Sequence, residues 1–279
     1  MLLNVIISVI FGIVQGITEW LPISSTGHMI LVDQFIKLTS DTAFRDLFLV
    51  VIQFGSILAV VTLYFHKLNP FSHQKDVKQK RETWTMWFKV IVGCVPAAII
   101  GLLFDDFIMD KFYNWYVVAA MLIIYGVLFI ILENRNKKPK ISSINAMSYR
   151  MAAMIGIFQV LAMIPGTSRS GATILGAVLI GASRNVAAEF SFFLAVPVML
   201  GASVLEILKY FMSNGMFSGQ QFLILIIGMA VAYAVSIFAI KFLMDYIRKH
   251  DFKAFGYYRI VLGILVILYF TISGAHIIA

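Results

Sequence analysis

The chain has 279 residues, of which 61% are hydrophobic and only 13% charged, and it carries a net charge of +8. A water-soluble domain of this size has about 25% charged residues, so too little polar surface remains for a water-exposed globule and that class is excluded. The positive surplus does not point to nucleic acid either, because the cations sit in short stretches between apolar runs.

Ten apolar runs can be read, at about 2–20, 25–37, 46–66, 84–104, 114–132, 148–164, 171–181, 185–209, 219–243 and 256–276. Several approach the ~20 residues needed to cross a bilayer, so the chain is expected to be an all-α polytopic membrane protein, a single integral membrane domain over 1–279. The first run has no basic stretch ahead of it and passes straight into a polar loop, so it does not read as a cleaved leader. It carries Gln15 and Glu19, four positions apart and therefore on one face of a helix. A carboxylate at that depth needs a cation, a basic side chain or a divalent metal to stay charged. The alternative is a glutamate at a helix end that reaches for water. The loop Pro22-Ile23-Ser24-Ser25-Thr26-Gly27-His28 then breaks the helix. His28 could fold back across it towards Glu19, either as a structural residue or as a general base. The run that follows, 25–37, is too short to cross a bilayer at 1.5 Å per residue.

Three longer runs follow, and the single cysteine, Cys94, lies in one of them, so no intramolecular disulfide can form. The sixth run ends in a second polar loop, Pro165-Gly166-Thr167-Ser168-Arg169-Ser170-Gly171-Ala172-Thr173, and again a short run comes next. Arg169 at membrane depth would cost about 2.5–3.5 kcal/mol, which predicts an anionic partner. Hydroxyls, close-approaching glycine backbone, a helix N-terminus and a guanidinium together make a phosphate cradle. Its candidate contacts are Ser24, Thr26, Gly166, Thr167, Ser168, Arg169, Ser170 and Thr173. The alternative is that the hydroxyls only satisfy backbone at a helix break while Arg169 pairs with a carboxylate.

The two halves look related. Gly12-Ile13-Val14-Gln15 recurs as Gly156-Ile157-Phe158-Gln159, and the loops end at Gly27 and Gly171, with the prolines slipped by one position as if by a compensated gap. Each half then reads as a re-entrant helical hairpin plus three spanning helices, with repeats at about 1–133 and 148–279. Three crossings invert the second copy, an arrangement that builds internal sites at the midplane. Charge fits this topology: with the N-terminus outside, the loops at 67–83, 133–150, 181–185 and 245–253 face inside and hold fourteen cations, whereas those outside hold Lys37, Arg45 and Lys111.

Gln15-Gly16-Ile17-Thr18-Glu19-Trp20-Leu21-Pro22-Ile23-Ser24-Ser25-Thr26-Gly27-His28 resembles the first signature of the undecaprenyl-diphosphate phosphatase family of the bacitracin-resistance type. The loop from Pro165 to Thr173 resembles its second, and Glu189-Phe190-Ser191-Phe192-Phe193-Leu194-Ala195-Val196-Pro197 is similar to a further stretch. The resemblance covers essentially the whole chain. It implies hydrolysis of undecaprenyl diphosphate to undecaprenyl phosphate and inorganic phosphate, recycling the lipid carrier of cell-wall synthesis and conferring bacitracin resistance. The implied setting is the bacterial cell membrane, with the site facing outside and polyprenyl diphosphate and membrane lipids as partners. It also implies a divalent metal, Mg²⁺ or Ca²⁺, which Glu19 and the Gln15 carbonyl could hold together with diphosphate oxygens. The family allows Glu or Gln at the position of Gln15; here it is Gln, which leaves Glu19 as the lone carboxylate.

The candidate catalytic residues are His28, Glu19, Arg169 and Ser25. Ser25 could be a nucleophile activated by His28, or His28 could activate water directly. Glu189 is a candidate supporting or helix-contact residue. Two other readings stay open: a lipid-phosphate transporter or flippase using the same anion site, and an unrelated integral lipid-phosphate phosphatase. The latter would need a Lys-rich motif and a second catalytic histidine, and His66, His73, His250 and His276 sit in no such motif.

Overall fold

A computed structural model describes residues 1–38, 41–135 and 137–274, the side chains of residues 105 and 106 excepted; the end of the tenth apolar run and His276 lie outside the described residues. The architecture is helical throughout. In chain order the elements are α1 (Leu2–Thr18), α2 (Ser25–Phe35), α3 (Thr42–Leu63), the single turn α4 (Phe65–Leu68), α5 (Val77–Phe112) and α6 (Trp115–Asn134). Then come α7 (Tyr149–Val160) with a 3₁₀ turn at Leu161–Met163, α8 (Arg169–Leu179), α9 (Arg184–Asn214), α10 (Gly219–Lys249) and α11 (Lys253–Ser273).

Among the described residues six helices are long and apolar enough to cross a membrane: α3, α5 over Val77–Phe104, α6, α9, α10 and α11. Helices α2 and α8 have 11 residues each, about 16 Å of helix and half a bilayer core. Each half of the chain therefore runs short helix, short helix, three long helices. Most of the breaks are set by side-chain caps: Asp41, Asn114, Ser148 and Ser183 accept from the first turns of α3, α6, α7 and α9. Asp76 with Gln79, and Ser218 with Gln221, form capping boxes. The first of these starts α5 inside the stretch 67–83 expected to be loop. Lys78, Gln79, Lys80, Arg81 and Glu82 are good helix formers, so helix continues beyond the apolar run.

The halves interlock by exchange. Helix α1 packs on α10, and its counterpart α7 packs on α5, while α3 lies against α9 and α6 against α11. Lipid gives no hydrophobic drive between helices, so these contacts depend on close backbone approach at small residues. A Cβ at Gly12 would stand 2.8 Å from the Gly228 carbonyl oxygen, and one at Gly156 2.3 Å from that of Gly93. Gly126 and Gly256 face one another in the same way. The tightest contact is Gly55, where a Cβ would lie 2.1 Å from the Met229 carbonyl oxygen. Gly55→Ala must push α3 off α10, so a loss of about 1–3 kcal/mol is expected, read as a lower midpoint of thermal unfolding in detergent; an unchanged midpoint would contradict this packing. Beneath the polar loops lies a core of Trp20, Ala172, Ile174, Phe190, Phe192 and Phe193.

Candidate active site

Helices α2 and α8 begin alike. Ser24 and Ser168 have φ of 74° and 72°, the only positive values outside glycine among the described residues. Each caps its helix by accepting from the backbone N–H three residues on, Gly27 at 3.2 Å and Gly171 at 3.1 Å. Such backbone costs about 1–3 kcal/mol and persists where its surroundings over-determine it. One unbroken offset relates Gly12 to Gly156, Gln15 to Gln159, Ser24 to Ser168 and Gly27 to Gly171. The slipped prolines are therefore a substitution, and the compensated gap expected from sequence is not needed. In this register Met163 stands where the first copy has Glu19, and Arg169 stands where it has Ser25. The carboxylate and the guanidinium come from different hairpins.

They meet at Glu19, buried just past the end of α1. Its Oε2 accepts from Gln15 Nε2 at 2.9 Å and from Ser25 Oγ at 3.0 Å; its Oε1 accepts from Arg169 Nη2 at 3.0 Å. Arg169 also donates from Nη1 to the Ser191 carbonyl at 2.9 Å, and its guanidinium lies over the Trp20 ring at 5.5 Å. Ser170 stitches the loops together by donating to the carbonyls of Glu19 (3.1 Å) and Leu21 (3.3 Å). The carboxylate pairing raised as the alternative role for Arg169 is thus present, and its partner is the other candidate residue.

His28, half-buried on α2, places Nδ1 2.7 Å from the Ser24 carbonyl and Nε2 2.7 Å from the Tyr258 hydroxyl. A carbonyl can only accept, so Nδ1 carries the proton and Nε2 accepts from Tyr258. Both ring nitrogens are committed, and the Ser25 hydroxyl points at Glu19. Activation of Ser25 by His28, one of the two roles the sequence left open for the histidine, is not the contact made: the carboxylate holds that proton's bond instead. His28 lies three residues after Ser25 on the same helix face. Tyr258→Phe removes the donor that orients the ring, and a fall in kcat of about tenfold is expected from one lost hydrogen bond, with KM little changed. An unaltered kcat would show that the ring needs no such support.

Arg259, the residue after Tyr258, is fully buried with no carboxylate partner among the described residues. It donates to Pro22 of the first loop (3.2 Å), to Gly166 (2.8 Å) and Thr167 (2.9 Å) of the second, and to Met121 and Leu122 of α6 at 3.4 Å each. One side chain thereby fixes both loops to α6 and α11.

Several hydroxyls assigned to phosphate contact serve the protein itself. Ser24 and Ser168 cap their helices. Ser170 binds the first loop, and Thr173 lies 2.6 Å from the Ser191 hydroxyl. The Gly166 carbonyl is taken by Arg259. Thr167 Oγ1 is buried without a partner among the described residues, as are Arg169 Nε and Trp20 Nε1. Ser25, Thr26, His28, Ser168 and Arg169 are the partly buried groups at the surface of the cluster. Glu189 lies elsewhere, paired with Lys67 and lining a different cavity. Sequence reasoning missed Trp20, Ser191, Tyr258 and Arg259. Arg259 did carry a signal, being an arginine inside an apolar run and hence a functional candidate by default.

The chain matches the family described as bacitracin resistance protein BacA over residues 8–265. It belongs to that family. It is 61% identical to undecaprenyl-diphosphatase 1 of Clostridioides difficile (strain 630), covering 96% of this chain and 97% of the relative. It is 58% identical to undecaprenyl-diphosphatase of Desulfitobacterium hafniense, covering 97% of each, and 58% identical to that of Enterococcus faecalis (strain V583), covering 95% and 97%.

Among the described residues no three His, Cys, Asp or Glu side chains are grouped to hold a metal ion. The oxygen donors present nevertheless suit a hard cation that takes one carboxylate and completes its shell with substrate phosphates. Ser25 Oγ and the Gln15 amide both bond Glu19 Oε2, and rotation of the Gln15 amide would present its oxygen there instead.

Proposed function

We propose that this membrane protein hydrolyses undecaprenyl diphosphate to undecaprenyl phosphate and inorganic phosphate, recycling the lipid carrier of cell-wall synthesis and thereby conferring bacitracin resistance. The observation that carries this reading is the single carboxylate, Glu19, accepting at once from Gln15, Ser25 and the arginine of the opposite hairpin. A guanidinium, an activated hydroxyl and a histidine in a membrane interior suit the transfer of a phosphoryl group from a lipid head, where catalysis is mainly positioning and charge stabilisation.

The chemistry follows from the contacts. The terminal phosphate draws the Arg169 guanidinium from Glu19, and Arg169 Nε and Trp20 Nε1 offer it buried N–H groups. Glu19, relieved of its cation, takes the Ser25 proton. Ser25 Oγ forms a bond to the terminal phosphorus as the anhydride bond to the lipid phosphate breaks. Water that takes the place of the Tyr258 hydroxyl at His28 Nε2 gives up a proton there as its oxygen displaces Ser25 from phosphorus; Ser25 recovers its proton from Glu19, phosphate leaves, and His28 passes its added proton to solvent. Mg²⁺ or Ca²⁺, held by Glu19 and Gln15, would neutralise diphosphate charge.

We read the two halves as inverted repeats whose hairpins meet in the bilayer. An odd number of spans per half and the crossed packing of α1 on α10 and α7 on α5 support this. The cation asymmetry between loops supports a bacterial plasma membrane placement with the catalytic loops opening outwards. The test is phosphate release from undecaprenyl diphosphate by purified protein in detergent. Release with accumulation of the monophosphate is expected; intact substrate together with lipid translocation in vesicles would favour the carrier reading instead.

A further inference from the structure

Helix α8 starts at Arg169 in the active site and ends at Leu179, about 16 Å away, beside a second cavity of about 530 Å³. Six cations line it: Arg135, Lys137, Lys138, Lys140, Arg184 and Arg248. Its one carboxylate, Glu133, is buried and already engaged. It accepts from Arg184 Nε at 2.9 Å, from Arg184 Nη2, and from the Phe252 N–H at 3.2 Å. Arg248 pairs with Asp245 at the surface. Arg135, Lys137, Lys138 and Lys140 have no ion-pair partner among the described residues.

Cations in a loop are enough to orient a chain in a membrane, and that role asks for no particular geometry. Here the lysine-bearing segment is pinned at its C-terminal end. Lys140 and Ile141 both donate backbone N–H groups to the Gly181 carbonyl, at 2.8 and 3.0 Å, and Ser183 N–H donates to the Ile141 carbonyl at 2.8 Å. Ile141 and Ala182 form the isolated parallel bridge of the fold. Gly181 has φ of +109°, a conformation strained for any side chain, which lets the turn between α8 and α9 meet the segment. The opposite wall is the start of the 31-residue α9, where Ser183 caps Val186 and the amides of Arg184 and Asn185 have no helical acceptor. Flexible charge has been built into a walled, strongly positive recess.

We propose that this recess binds a phosphate-bearing anion, supplied by an anionic phospholipid headgroup or by free inorganic phosphate. The Arg135 guanidinium, three ammonium groups and orphan amides line one volume, a combination that recognises phosphate oxygens. Binding here does not depend on the catalytic reading, because it is measured directly and without turnover.

Purified protein is titrated with phosphatidylglycerol against phosphatidylcholine, read by native mass spectrometry, and with sodium phosphate against sodium chloride at equal ionic strength, read by thermal stabilisation. The triple variant Lys137→Gln, Lys138→Gln, Lys140→Gln is compared with Lys78→Gln, Lys80→Gln, Arg81→Gln on α5. Each lysine near an anionic head contributes roughly fivefold, so the first triple is expected to weaken binding about a hundredfold and the second only a few-fold. Preference for phosphatidylglycerol alone assigns the site to lipid, and response to phosphate alone assigns it to the free ion; either supports the proposal. Equal loss in both triples, no preference for either anion, or binding of both anions undiminished in the first triple would overturn it, the last because the anions would then sit elsewhere.

Discussion

Exchange of Arg169 for lysine is expected to lower kcat/KM for undecaprenyl diphosphate by about 10²- to 10³-fold. The residue is charged either way, so the loss isolates geometry from charge. Nη2 reaches Glu19 while Nη1 reaches the Ser191 carbonyl, and the guanidinium plane lies over Trp20. An ammonium is a point charge with rotating donors. It cannot hold Glu19, the α9 backbone and a phosphate in one plane, nor supply the Nε–H that is buried without an acceptor among the described residues. The fall should appear mainly in kcat, since the interaction strengthens as charge spreads over the transferring phosphoryl group. Phosphate release across a range of substrate concentrations, on protein shown folded by size exclusion, measures it. A drop of less than tenfold would mean that the planar fork does not contact the reacting phosphate.

Arg259→Met is expected to cost about 3–5 kcal/mol of stability through the loop carbonyls it leaves unpaired and to abolish most activity, although Arg259 touches no reacting atom. Methionine fills similar space in an apolar bundle but removes the guanidinium donors from five carbonyls, three of them in the two catalytic loops and two already bonded within α6. Each buried acceptor left unpaired costs about 1–3 kcal/mol. The loops would relax together, because Pro22 and Gly166 are bound to the same guanidinium. The midpoint of thermal unfolding in detergent should fall by more than ten degrees, with Arg259→Lys intermediate. A methionine variant as stable and active as the parent chain would show that the loops are held by other contacts.

Much of this was legible in the residues. The pairing of two short runs with six long ones followed from bilayer thickness, and Gln15 and Glu19 share a helix face as their spacing requires. Arg169 was legible as costly enough to need an anion, and the structure gives it Glu19. What could not be read was contact across distant sequence. Tyr258 and Arg259 sit near the start of an apolar run in α11, where an arginine also fits a helix end reaching for water, and only the fold shows Arg259 fully buried between the loops. From sequence His28 could serve either Ser25 or water, but the Ser24 carbonyl and a tyrosine 230 residues on claim its nitrogens. The long extension of α5 was hidden because its charged first turns resemble a loop by composition. Charge counting located the lysines of 133–150, yet the recess they line depends on the turn at Gly181.

The central claim is that both hairpin loops grip one diphosphate head. The most direct measurement is a structure of the protein with a non-hydrolysable methylene diphosphonate analogue of the lipid bound. The account predicts its terminal phosphonate within hydrogen-bond reach of both the Arg169 guanidinium and the Ser25 hydroxyl. A head group seated elsewhere, with the bond between Arg169 and Glu19 undisturbed, would contradict it.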